Sequence, residues 1–265
     1  LEKVRQEIDA IEPDVVGFSP LHLTIENDIA MMWAAHEASP HSLFVAGGRQ
    51  TAFHPETLFN NFDGLHTIVI VDVENVFIEL LKKIREFGVD AINENPAYLS
   101  DVPGLFVRGR PGMRVRETGP NRGLNPAEFR RATWMMDFTD MDLEKYWGRL
   151  AAGCTEKELA DPNWQAKIYT LKPITTNYCP MSCSFCDVTS LQRKETGADM
   201  TVNGLRGEEL EAYITMLLEK HQQVRQIMFK DDLWFLRGRG RVRGTTTSSQ
   251  ILEDLAALKR AREKF

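Results

Sequence analysis

Through the first third of the chain, short apolar runs alternate with amphipathic helices, a pattern that few chain topologies can bury on all sides. Val4, Ile8 and Ile11 stand at i, i+4 and i+7, which predicts a helix that ends before Pro13. Val15-Val16-Gly17-Phe18 reads as a short strand of the kind buried in a parallel sheet, and it leads into the loop Ser19-Pro20-Leu21. Ile25, Ile29, Met32, Trp33 and His36 share one face of a second helix that runs from about Glu26 to Ala38. Leu43-Phe44-Val45-Ala46 is the next strand. It stops at Gly47-Gly48, where two residues without side chains let a ligand or another backbone come close. Ile68 to Val71 reads as a third strand, and Phe77, Leu80, Leu81 and Ile84 stripe the helix after it, with Gly88 suited to its C-cap. Alternation of this kind implies an α/β fold with a parallel sheet wound on both faces and a ligand site at the carboxyl ends of its strands. Ser19 to Leu21 and Gly47-Gly48 both fall at such ends.

The second half repeats the theme after a break. Val102 to Arg108 and Met113 to Arg116 flank Gly109–Gly112 and read as a hairpin, and Gly119 to Pro126 is a linker by its glycine, proline and asparagine content. Short helices are expected over 140–150 and 155–160, the latter opened by a capping box of Thr155 and Glu158. Ile168 to Thr176 reads as a strand. Leu210, Ile214, Leu217 and Leu218 mark a helix from Gly207 to about His221, Val224 to Phe229 is a further strand, and Ser248 or Ser249 opens a helix through Ile251, Leu252, Leu255 and Leu258. The boundaries drawn from this are 1–100 for the first domain, 101–163 for a connector and 164–265 for the start of a second domain.

Composition narrows the class. A chain of 265 residues with 43% hydrophobic content has room for one large or two ordinary domains with real cores. No apolar run approaches a membrane span, and the first residues lack the basic-then-apolar order of a signal peptide, so a reducing cytoplasm is the expected setting. The net charge of -6 argues against general affinity for nucleic acid. The sequence opens at Leu1 inside a helical pattern and ends after two strand-helix units of its second domain, so it is expected to be a fragment.

Chemistry concentrates in Tyr178-Cys179-Pro180-Met181-Ser182-Cys183-Ser184-Phe185-Cys186, where three of the four cysteines occupy a C-x-x-x-C-x-x-C pattern. Three thiolates from one loop can grip one metal centre but are one ligand short of a closed site. An iron-sulfur cubane held this way keeps one iron open. Zinc bound by the three cysteines and His221, and three unrelated buried cysteines, are the competing readings. A disulfide is disfavoured in a reducing setting. Cys154 stands apart and reads as a small buried or half-buried residue. His22 and His36 are expected to be packed or hydrogen-bonded rather than metal ligands.

The cysteine spacing resembles the signature of the radical S-adenosylmethionine (SAM) superfamily, and residues 1 to about 87 resemble the cobalamin (vitamin B12)-binding domain that precedes many members' cores. The resemblance implies a Rossmann-like parallel sheet of the cobalamin-binding type, followed by the first units of a partial (β/α)6 barrel. It implies that Cys179, Cys183 and Cys186 hold a 4Fe-4S cluster and that SAM chelates the open iron. Phe185 would lie against the adenine of SAM, and Asp231 and Asp232 would stand near its methionine amino group. Many members carry Gly-Gly-Glu where this chain has Lys230-Asp231-Asp232. Ser19, Leu21, Gly47 and Gly48 match positions lining the cleft for the nucleotide tail of cobalamin, whereas the later Gly-Glu-Gly-Glu is replaced by Val71-Asp72-Val73-Glu74. The activity implied is cleavage of SAM to a 5′-deoxyadenosyl radical, with methyl transfer or radical ring chemistry on a small molecule that the sequence does not name. An external electron donor such as flavodoxin or ferredoxin is implied as well. No catalytic side chain is assigned.

Two other classes stay open. Arg237, Arg239, Arg241 and Arg243 form a local positive run suited to phosphate, which would make the chain a radical SAM enzyme acting on RNA. A non-catalytic cobalamin- or metal-binding module is the other.

Overall fold

Leu43, Phe44, Val45 and Ala46 are all buried, so strand β2 (Leu43–Gly47) is covered on both faces. Successive side chains on a strand point to opposite faces, and the split follows that rule. Phe44 and Ala46 enter one core with Met32, Phe59, Phe62 and Leu65. Leu43 and Val45 enter another with Leu80, Ile92 and Leu99. The computed structural model describes residues 1–70, 73–108, 115–177, 179, 186, 203–231 and 248–264. They fall into two compact units, the first from Leu1 to Gly123 and the second beginning at Leu124.

In the first unit, β1 (Val15–Phe18), β2 and β3 (Leu65–Val69) are parallel neighbours, with Phe18 opposite Ala46 and Gly47 opposite Val69. Helix α1 (Glu2–Ile11) packs Val4 and Ile8 on the Phe44 side, together with α2 (Ile25–Ala38) and α4 (Pro55–Asn61), while α3 (Arg49–Phe53) leads from β2 into α4. Helices α5 (Val73–Phe87) and α6 (Val89–Glu94) cover the opposite face. The sheet is mixed rather than wholly parallel. β4 (Leu105–Val107) and β5 (Arg116–Glu117), the strands of the expected hairpin, are antiparallel and extend the sheet beyond β3. Thr67 explains part of that docking, since its buried hydroxyl donates to the Phe106 carbonyl at 2.9 Å.

Two expectations shift in register. β3 starts at Leu65, three residues before the apolar run read as its beginning, because the polar His66 and Thr67 interrupt the apolar pattern yet find partners inside the sheet. Helix α5 is present and Gly88 follows it with φ +83°, donating its N–H to the Ile84 carbonyl. Its buried stripe is Val76 and Leu80 with Ile84 and Phe87, whereas Phe77 and Leu81 stay 36% and 43% exposed.

The second unit contains α7 (Pro126–Met135), α8 (Leu143–Ala152), α9 (Glu156–Ala160), α10 (Pro162–Ile168), β6 (Thr170–Leu171), α11 (Gly207–Lys220), β7 (Gln226–Ile227) and α12 (Ser248–Glu263). The expected box between Thr155 and Glu158 caps α9, and Asn125 with Glu128 builds a second one on α7. β6 and β7 are parallel and α11 lies between them in sequence, which makes a β-α-β unit. Leu171, Leu205, Leu210, Tyr213, Ile214 and Leu217 form its core with Trp147. The strand expected over Ile168–Thr176 is cut short at both ends. Asp161 and Pro162 start a helix that consumes Ile168, and Pro173 has no N–H with which to continue the ladder. Among the described residues no helix is long and apolar enough to cross a membrane.

Candidate active site

In the first unit, two loops converge at the carboxyl edge of the parallel strands. Ser19 follows β1 and Gly48 follows β2, and a β-carbon built on Gly48 would stand 2.9 Å from the Ser19 Oγ. Gly48 also has φ +95°, a conformation that favours glycine. Thr51 donates its hydroxyl to the Gly48 carbonyl at 2.7 Å and fixes the turn from below. Gly47 ends β2, and among the described residues only the Val69 carbonyl lies within 4.0 Å of where its β-carbon would be. The Ser19–Leu21 loop is held by Asp28, whose Oδ2 accepts from the Leu21 N–H at 3.0 Å and from the Thr24 hydroxyl at 2.7 Å. Leu21 itself is 61% exposed and Leu23 is 93% exposed. The edge therefore offers a hydroxyl, bare glycine backbone and loose leucines, a mixture suited to a ligand with both polar and apolar parts.

His36, set aside as a ligand in the sequence, packs edge-on against Trp33, Phe44 and Phe62 in the core below. His66 accepts the Phe44 N–H on Nδ1 at 3.0 Å. Burial, with smaller electrostatic contributions from the sides of His36 and Arg108, lowers the His66 imidazole to about 4, so it serves as a neutral acceptor.

In the second unit, the segment that leads to the cysteine motif is anchored from two sides. On one side the Asp231 carboxylate, just past β7, gathers four donors from two adjacent residues. Its Oδ1 accepts from the Thr175 N–H at 2.7 Å, from the Thr176 hydroxyl at 2.7 Å and from the Thr176 N–H, while Oδ2 accepts from the Thr175 hydroxyl at 2.8 Å. On the other side Thr176 bridges Gly204, Leu205 N–H donates to the Thr175 carbonyl at 3.0 Å, and Asn177 exchanges bonds with Asn203. Asn203 is itself tied to the Leu124 carbonyl at 3.0 Å. Thr175 and Thr176 are 0% and 2% exposed.

Cys179 follows two residues after Asn177, and both Cys179 and Cys186 are half-buried. Cys183, Phe185 and Asp232 lie outside the described residues, as does the arginine run 237–243. Among the described residues no three metal-ligating side chains come together. The donor set itself fits an iron-sulfur cluster, since closely spaced thiolates suit iron and sulfide rather than hard oxygen-preferring cations. His221, the histidine available to a zinc reading, has its Nε2 at 2.7 Å from the Asp137 carbonyl. The Lys220 ammonium beside it, with hydrogen bonds from Thr139, holds the Asp137 carboxyl well below the usual carboxylate range. Tyr213 donates its hydroxyl to the Met136 carbonyl at 2.9 Å. Burial, with smaller contributions from Asp137 and Asp231, pushes that phenol above its ordinary value.

Thr175, Thr176, Asn177 and Asn203 were not singled out in the sequence. The first three form a run of polar residues at the end of an apparent strand, one residue before Cys179, and Asn203 carries no such local signal.

No protein-family model matches this sequence. No curated protein matches it either. Among solved structures, the fold is similar to that of the radical S-adenosylmethionine methyltransferase TsrM from Kitasatospora setae, determined with tryptophan substrate and a SAM analog (aza-SAM) bound. The TM-score is 0.55 at 16% sequence identity, over 87% of this chain and 39% of that one. The chain thus spans about two fifths of that structure's length, and the likeness is one of fold.

Proposed function

We propose that this chain is the cofactor-binding part of a radical SAM enzyme that transfers a methyl group to, or closes a ring on, a small-molecule substrate. The observation that carries the reading is the three-cysteine motif of the sequence, reached from β6 through a segment, Thr175 to Asn177, that is anchored from both sides. The fold likeness to a radical SAM methyltransferase supports it. Cys179, Cys183 and Cys186 would hold a 4Fe-4S cluster with one iron open to SAM. When bound, these groups supply one-electron cleavage of SAM to methionine and a 5′-deoxyadenosyl radical, with the electron from a flavodoxin- or ferredoxin-type donor.

The rest is the work of this chain's own side chains. The hydrogen bonds around Thr175 to Asn177 fix where the backbone turns into the motif, and Phe185 would cover the adenine. Ser19 and the Gly47-Gly48 backbone would receive the tail of cobalamin beside Leu21. Helices on both faces of β2 keep water from the sheet beneath.

The test is anaerobic incubation of the reconstituted protein with SAM and a strong one-electron reductant. The expected result is 5′-deoxyadenosine and methionine in equal amounts, together with corrinoid absorbance in protein from cells supplied with the vitamin. Absence of 5′-deoxyadenosine from iron-loaded protein would overturn the radical SAM reading. Absence of corrinoid would overturn the cobalamin assignment alone.

A further inference from the structure

The β6–β7 ladder shows why an aspartate is needed at position 231. The carbonyls of Tyr169, Leu171 and Pro173 accept from the N–H groups of Arg225, Met228 and Lys230, each at 2.9 Å. On a strand a residue's N–H and carbonyl point to the same side, so the return donors toward β7 come from the same alternate positions. Pro173 has no N–H, and the ladder loses its donor there. The next in the alternation is Thr175, and its N–H is taken by the Asp231 side chain instead of a β7 carbonyl. The carboxylate thus takes the first strand donor past the proline, while the Pro173 carbonyl still accepts from Lys230. Two buried threonines present four donors to this one carboxylate, three at Oδ1 and one at Oδ2.

We propose that Asp231 is a positioning residue: it locks the Thr175-Thr176 backbone and thereby sets where the chain delivers Cys179, and it does not bind a cofactor's amino group. The lock stands on this geometry alone, and its consequence for cluster retention rests on the radical SAM reading. The structure also accounts for the residue types. Asparagine could keep an oxygen for the three donors on Oδ1, but it would lose the charge that strengthens them and its NH2 would force the Thr175 hydroxyl to reverse and accept. Valine at 175 and 176 would keep the β-branched shape while removing two of the four donors.

Two variants of the whole chain separate the outcomes, Asp231→Asn and the double variant Thr175→Val/Thr176→Val. The first readout is hydrogen-deuterium exchange of cluster-free protein. Exchange over Thr175 to Asn177 is expected to quicken by about tenfold or more in Asp231→Asn, and by less in the double variant, with the core of α11 unchanged. The second is iron retained against a chelator after anaerobic reconstitution, expected to decay several-fold faster in both. The third is SAM affinity per loaded cluster, expected to stay within about twofold of the parent. Unchanged exchange in both variants would overturn the lock. Normal iron retention with SAM affinity weakened about tenfold in Asp231→Asn alone would make Asp231 a SAM ligand and overturn the proposal. If the parent protein takes up no iron, the radical SAM reading fails while the exchange result still decides the lock.

Discussion

The Ser19 hydroxyl fills the space that a side chain on Gly48 would need, 2.9 Å from the position of its β-carbon. Gly48 is further confined by its φ of +95°. Gly48→Ala is therefore expected to cost about 1–3 kcal/mol, most of it from backbone strain. Adding Ser19→Ala should recover only the contact part, a few tenths to about 1 kcal/mol. Denaturant unfolding of the four members of the cycle measures both terms, and equal stability of Gly48→Ala and the parent would contradict this reading of the turn.

Arg108 joins β4 to the other side of the sheet. Its Nε donates to the Leu65 carbonyl at 2.9 Å, and Nη2 donates to the carbonyls of Phe59 and Phe62 at 2.7 and 2.8 Å, with the guanidinium 5.1 Å over the Phe59 ring. A lysine cannot reproduce this fork. Arg108→Lys should lower stability by about 1–2 kcal/mol, measured by chemical unfolding, because one ammonium cannot meet the Leu65 and Phe59 carbonyls together, while the Phe62 carbonyl keeps the Leu65 N–H.

His66 gives the first unit a defined acid sensitivity. Its imidazole is lowered from 6.5 to about 4 in the folded chain, chiefly by burial. Below pH 6.5 the unfolded chain takes up a proton that the folded chain refuses. Stability is thus complete above that pH and declines as the pH falls toward 4, by an amount on the order of 2–3 kcal/mol. His66→Asn should flatten this part of the profile while keeping an acceptor for the Phe44 N–H. A parent profile that is level across the window would contradict the assignment.

Asp28 holds the loop after β1 through the Leu21 N–H and the Thr24 hydroxyl. Asp28→Ala should cost about 1 kcal/mol in stability and should release bound corrinoid faster, as followed by absorbance during dialysis. Retention equal to the parent would separate this loop from the proposed cobalamin cleft.

Much of this architecture was legible as spacing. Leu210, Ile214 and Leu217 mark α11, and all three are buried. Thr155 and Glu158 were enough to locate the start of α9. What resisted reading was decided by partners far along the chain. Asp231 meets Thr175 across 56 positions, so nothing local marks either residue as half of a lock. The hairpin of β4 and β5 looked like a connector, because its use as the sheet's antiparallel edge depends on Thr67 reaching the Phe106 carbonyl. Likewise the end of β6 turns on Pro173, whose effect on the ladder becomes visible only once β7 is in place.

Anaerobic reconstitution of the parent and of its four single Cys→Ala variants, followed by iron and acid-labile sulfide counts, bears most directly on the cysteine motif. About four irons and four sulfides per chain are expected in the parent and in Cys154→Ala, and loss of both in Cys179→Ala, Cys183→Ala and Cys186→Ala. SAM should alter the electron paramagnetic resonance spectrum of the reduced parent cluster. One tightly held zinc ion without labile sulfide, or a cluster that depends on Cys154, would contradict the assignment.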